Sequence, residues 1–235
     1  MLTLTRADRY YTLMASLPAL PPLFSERRPP LSRYSLEQRI RMLETDDALV
    51  LGRLGRLMMW SRLPLEISDE EMVEMAEAVT SEIRSPLLRE VAEWRLELRT
   101  VVAALRRRAA GEPAPAKGEL WGFGRWTRAL ERNWGKSDFG LAGALPWIVD
   151  FNDRIEKRDS LGFEKSLLQL VWTYLSRKAE GHYFDFEAVA LYAQRWDVIH
   201  RWSMYNAADA AQRFDELLTA SWGSYTDELE KALRQ

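Results

Sequence analysis

Two histidines, His182 and His200, are the chain's whole stock of imidazole, and cysteine is absent. Zero thiols removes disulfides, thiolate nucleophiles and thiolate metal sites from consideration. The histidines stand eighteen positions apart in HYFDFEAVALYAQRWDVIHRW, residues 182 to 202. On a straight helix that is about 27 Å at 1.5 Å per residue, too far to share one metal ion. The carboxylates Asp69, Glu70, Glu71, Glu74 and Glu77 match a metal or catalytic cluster by number. Their place at a helix start suits the macrodipole and solvent better. Gly122-Phe123-Gly124 lacks the third glycine and the strand of a dinucleotide site. Asp138-Phe139-Gly140 spells the magnesium triplet of protein kinases without the other signatures of that fold. Trp121, Phe123, Trp126 and Trp134 interleave with Arg125, Arg128 and Arg132, a pattern that can read single-stranded nucleic acid. Near-neutral charge and helical spacing favour core aromatics beside salt-bridged arginines.

The elements that must position these residues are helices. Phe186, Val189, Ala193, Trp196 and Ile199 recur at steps of three and four, and Trp202 continues that face. Arg195, Asp197 and Arg201 fall elsewhere around the same helix. Ser85-Pro86 supplies a cap and a first-position proline for the longest clean helix, which runs to about Ala109. Leu87, Val91, Trp94, Leu98, Val101 and Leu105 form a coiled-coil-like seam along it. The simplest antiparallel partner for that seam is a helix from Ser35 to Trp60, opened by a Ser35/Gln38 capping box. Asp47 occupies an inward slot there, so either it is a buried functional carboxylate or the helix breaks near Thr45 and Asp46 and is capped anew. The second reading is preferred. Gly52 and Gly55 in LGRLGRLMMW have neither the preceding strand nor the lysine of a phosphate loop, and are expected to allow close helix packing. Pro64 ends this element, and Ser68 with Glu71 caps the acidic helix that follows.

Near the start, YYTLMASLP reads as a short strand or a first helical turn, with an extended segment laid across the helical body preferred. Pro18, Pro21, Pro22, Pro29 and Pro30 then prevent a sustained helix. GEPAPAKGE, residues 111 to 119, reads as a linker between an N-terminal helical half, 1 to 110, and a C-terminal half, 120 to 235. A helix from Asp159 to about Ala179 shows Leu167, Leu168, Val171, Tyr174 and Leu175 on one side. Two short helices follow the histidine stretch, with Phe214, Leu217 and Leu218 inward. The expected fold is all-α, built of helical bundles with one short extended segment near the N-terminus.

Composition bounds the function classes. The 235 residues balance 33 basic against 35 acidic side chains, which gives no global pull toward nucleic acid or anionic lipid. Apolar residues make up 47% and charged residues 29%, and the mean hydropathy is -0.33, as in soluble globular proteins. No run approaches the roughly 20 apolar residues of a membrane span. The opening residues, charged at Arg6, Asp8 and Arg9, lack a signal-peptide core, so a cytoplasmic location is expected.

Three ordered blocks carry a resemblance: YYTLMASLP, SDFGLAGALPWI, and HYFDFEAVALYAQRWDVIHRW followed by the FDELL helix. Together they resemble a family of bacterial proteins associated with V/A-type ATPases and likened to the stalk component that is lettered C in those enzymes and d in eukaryotes. The resemblance implies an all-helical, non-catalytic part of the central stalk, without cofactor or metal. Such a part is a socket between the D/F shaft and the membrane rotor ring, and sits at the inner membrane through protein contacts. Arg125, Arg128, Arg132, Arg195 and Arg201 are the candidate partner-binding residues. The competing expectations are a helical adaptor unrelated to ATPases, and a helical enzyme using Asp46, Asp47, His182 or His200.

Overall fold

A computed structural model describes residues 9–26, 28–58, 69–116 and 118–205, and helix is its regular secondary structure. The elements are α1 (Tyr11–Ser16), α2 (Arg33–Ile40), α3 (Thr45–Met58), α4 (Asp69–Glu82), α5 (Pro86–Ala109), α6 (Thr127–Arg132), α7 (Trp147–Glu156) and α8 (Ser160–Ala179). A further helix, α9, covers residues 186–205. Pro64, Ser68 and the helices expected around Phe214, Leu217 and Leu218 lie outside the described residues.

The central helix is α5. Its start is set by Ser85, whose hydroxyl accepts from the Leu88 N–H, with Pro86 in the first turn. Arg106, Arg107 and Arg108 complement its carboxyl end. Of the expected seam, Val91, Leu98, Val101 and Leu105 are buried, while Leu87 and Trp94 are half-buried against the core. Leu88, Ala92, Leu96, Val102 and Ala104 are buried as well, so α5 is apolar over far more than one stripe. It needs that width because α3 and α4 pack on it from the N-terminal side and α6 and α7 from the C-terminal side. A single core cluster accordingly joins Leu54 and Leu57 to Phe151, Phe163 and Leu175.

The expected continuous helix from Ser35 is two helices. Residues 41–44 break it, and the cap of α2 is Ser32, accepting from the Ser35 N–H at 3.1 Å. Leu36 consequently leaves the seam and packs with Tyr192 and Trp196 of α9. Asp47 sits in the first turn of α3, where its charge suits the helix dipole, and its Oδ2 accepts the Tyr10 hydroxyl at 2.5 Å. Gly52 and Gly55 mediate no close packing among the described residues, none of whose atoms lies within 4 Å of a Cβ built at either.

The N-terminal stretch expected to be extended is helical at Tyr11–Ser16, because Tyr10 and Leu13, one turn apart, both point into the core. The extended piece comes after it. Residues 17–26 and 28–31 cross α9, whose Tyr192 hydroxyl donates to the Pro18 carbonyl at 2.8 Å and whose Trp196 indole donates to that of Leu31 at 3.1 Å. Asp159 caps α8, accepting from Gly162 N–H at 2.8 Å, and the helix ends at Ala179 as expected.

Candidate functional site

The histidines sit in separate settings. His182 Nδ1 lies 2.6 Å from Asp185 Oδ2, and Asp185 Oδ1 accepts the Ala188 N–H at 2.8 Å at the start of α9. Glu187 accepts from the Ser85 hydroxyl at 2.7 Å, which ties α9 to the cap of α5. Ligand atoms of His182, Asp185 and Glu187 fall within 4.8 Å of one another, close enough in distance to share a cation. The same atoms are engaged in capping and tethering, and the positive end of α9 opposes a cation there. His200 stacks on Trp196 with ring centroids 4.8 Å apart.

Glu187 also faces a cleft of about 430 Å³ between α3 and the starts of α5 and α9. Its walls carry both signs of charge, already paired: Arg9 with Glu44 and Asp47, and Arg53 with Glu82. Asp46 and Arg84 complete its charged lining. The phenol of Tyr10 touches Asp47 at this edge, and burial, followed by the hydrogen bond to that carboxylate, raises its pKa well above the ordinary tyrosine value. A phenol moved in that direction is a poorer proton donor at neutral pH, so its role is to fasten α1 to α3.

The arginine and tryptophan pattern of residues 121 to 134 resolves into structure. Trp121 is buried, its indole donating to Glu131 at 2.9 Å, and Trp134 donates to the Glu112 carbonyl at 2.9 Å. Gly122 and Gly124 allow this segment to lie on α5. A Cβ at Gly122 would stand 2.5 Å from Thr100 Cγ2, and Gly124 has φ +94° directly over Glu97. Asp138 accepts the Gly140 N–H at 2.9 Å, a bond that holds its carboxyl below the usual range, and fully buried Phe139 anchors the turn. The triplet is a turn built on its own backbone.

Arg125, Arg128 and Arg132 are exposed, as a partner-binding role requires. Arg125 lies over Trp126 at 4.9 Å and 3.4 Å from Glu97. Beside it opens a groove of about 260 Å³, walled by Trp94, Trp126, Trp147 and Tyr174, with Arg125 and Arg177 at its edge. Trp94 and Tyr174 stack face to face, 3.7 Å apart and 7° from parallel, which fixes one wall. Burial, then the Glu90 charge, raises the Tyr174 pKa above the ordinary value.

Arg195 and Arg201 are half-buried and make contacts within the protein. Arg201 grips Glu164 with two bonds of 2.6 and 2.9 Å, and Arg195 lies 6.0 Å over the Trp172 ring. Arg95, half-buried, and Arg106, exposed, lie near enough for Glu164 to act on both. Burial, with Arg201 nearby, pushes Arg95 down to about 10, and burial lowers Arg106 while Glu164 opposes the change. Sequence reasoning passed over Glu164 and Arg95, though the signal was present. Glu164 is three, four and seven positions before Leu167, Leu168 and Val171, and Arg95 is four after Val91 and three before Leu98. A charge on an apolar stripe is the mark of a buried ion pair.

Fold and sites together define an all-helical protein whose described residues form, among their surface openings, one charged and one aromatic. Comparison with protein-family models, curated proteins and solved structures finds no match to the chain. No described helix is long and apolar enough to cross a membrane.

Proposed function

We propose that the chain is a non-catalytic stalk component of a bacterial V/A-type ATPase, of the C/d type, forming a socket between the D/F shaft and the membrane rotor ring. The observation that carries this reading is how the three blocks of resemblance are used. Tyr10 donates its N–H to the Phe184 carbonyl at 2.7 Å, and Tyr192 reaches Pro18, so the first block is bound to the third. Phe139, Leu141 and Ile148 of the middle block are buried in the common core. The blocks are thus the framework of the fold, which suits a part that works by shape and stiffness. A torque coupler must resist bending, and a 24-residue central helix packed on both sides supplies that resistance.

In this role the protein sits at the cytoplasmic face of the inner membrane through protein contacts, with no cofactor. Co-expression with the proteins of the shaft and ring provides the test. A tagged chain is expected to co-purify with both, and its deletion to uncouple ATP hydrolysis from ion transport in membrane vesicles. Failure to associate with shaft and ring alike overturns the proposal and leaves an adaptor of another complex.

A further inference from the structure

The groove between α5, α7 and α8 is a surface opening whose floor is the core itself, Leu98 and Val101 with the stacked pair Trp94 and Tyr174. Four aromatic rings line it, and its volume of about 260 Å³ falls below the ~300–1,000 Å³ of small-molecule pockets. That size suits anchor side chains of a protein segment. Trp94 and Tyr174 are stacked on each other and present their edges, while Trp126 and Trp147 complete a rigid aromatic lining, the kind of surface on which proline-rich extended segments dock. The rim adds sign. Glu97 is its one lining carboxylate, its side chain is 13% exposed, and it is matched by Arg125. Arg177 is exposed at the end of α8, and Arg128 is exposed one turn beyond Arg125. The edge of an aromatic slot therefore carries net positive charge.

We infer that this groove binds a proline-bearing, acidic-flanked extended segment of a partner protein, with proline against the Trp126 and Trp147 side of the lining and carboxylates against Arg177 and the exposed Arg125. Thr173 lies on the groove wall and is exposed, so a larger side chain there fills the slot without entering the core.

The test uses the full chain and a fluorescein-labelled peptide, acetyl-Glu-Glu-Pro-Pro-Leu-Pro-Glu-Glu, followed by anisotropy. Saturable binding below about 1 mM is expected. Thr173→Trp should abolish it, and Arg177→Glu should weaken it by about tenfold while improving binding of the same peptide with lysines in place of the glutamates. Circular dichroism of both variants should match that of the parent, since each site is exposed. No saturable binding, or binding indifferent to Thr173→Trp, overturns the inference, as does an alanine-for-proline peptide that binds equally well. The peptide assay does not involve other ATPase components, so its failure and failure of the co-purification are separate results.

Discussion

At the scale of single residues, the interior is decided by where charge is left when a partner is removed. Glu164 is the carboxylate gripped by Arg201, with Arg95 and Arg106 close enough to feel it. Glu164→Gln removes the carboxylate bonded to Arg201 and leaves Asp197 as the acidic group acting on Arg95. Breaking a buried pair costs about 3–5 kcal/mol and an exposed one below ~1 kcal/mol, and this pair lies between, because Glu164 is buried while the Arg201 side chain is 41% exposed. Urea unfolding should therefore show a loss of about 1–3 kcal/mol for Glu164→Gln. The exposed pair Arg53 with Glu82 sets the contrast, and Glu82→Gln should cost below ~1 kcal/mol in the same assay. Tyrosines add a pH dependence. Tyr10 and Tyr174 are raised above the ordinary value, and Tyr192 is pushed up to about 12, chiefly by burial. The folded phenols hold their protons more tightly than the unfolded ones. Their contribution is complete below the unfolded value near pH ~10 and is lost as pH rises toward about 12. Stability should fall across about pH 10–12, and tyrosinate absorbance should appear later in the folded than in the unfolded chain. Tyr192→Phe, which also removes the bond to Pro18, should flatten part of that fall.

At the scale of elements, helix termini and glycines decide. Ser85 both caps α5 and donates to Glu187 of α9, so Ser85→Ala removes two ties at once. A loss of about 1–2 kcal/mol is expected on thermal or urea unfolding. Gly52 and Gly55 have free space around them in the interior of α3, so Gly52→Ala should stabilise by about 0.5–1 kcal/mol. Gly124→Ala should do the opposite, because its φ of +94° and the Glu97 side chain leave no place for a methyl group. These three glycines explain what was legible in the sequence and what was not. Capped helices with strong periodicity, α5 and α8 above all, read correctly from cap to end because local chemistry sets their limits. The break at residues 41–44 was visible as Asp47 on an apolar heptad, but the role of Asp47 was not, since its partner Tyr10 lies thirty-seven positions away. Glycine spacing in LGRLGR suggested a close approach that depends on the neighbour, and the neighbour is a property of tertiary structure. The aromatic groove was illegible for the same reason. Trp94, Trp126, Trp147 and Tyr174 come from four separate segments, and each alone reads as a core residue.

At the scale of the whole molecule, the stretch 111–119 divides the sequence but α5 does not divide the packing. Residues of α5 contact α3 and α4 before the stretch and α6 and α7 after it. Arg108 reaches Asn152 and Glu156 of α7, and Trp134 returns to the Glu112 carbonyl. Cutting the chain after residue 110 would leave α5 with its C-terminal partners missing and Val101, Val102 and Leu105 among the side chains whose shared core is opened. Exposing several such side chains costs about 1.5–3 kcal/mol each, which exceeds the margin of a small helical domain. The isolated piece 1–110 should therefore lack a cooperative transition, and the full chain should unfold in one step with matching curves by far-ultraviolet circular dichroism and tryptophan fluorescence. Two resolved transitions would show instead that the halves fold independently and that α5 keeps its structure without α6 and α7. The distinction bears on function. A part that carries torque must transmit strain through a continuous core, so one transition is the behaviour expected of the proposed stalk component, whereas separable halves would suit an adaptor whose ends bind different partners.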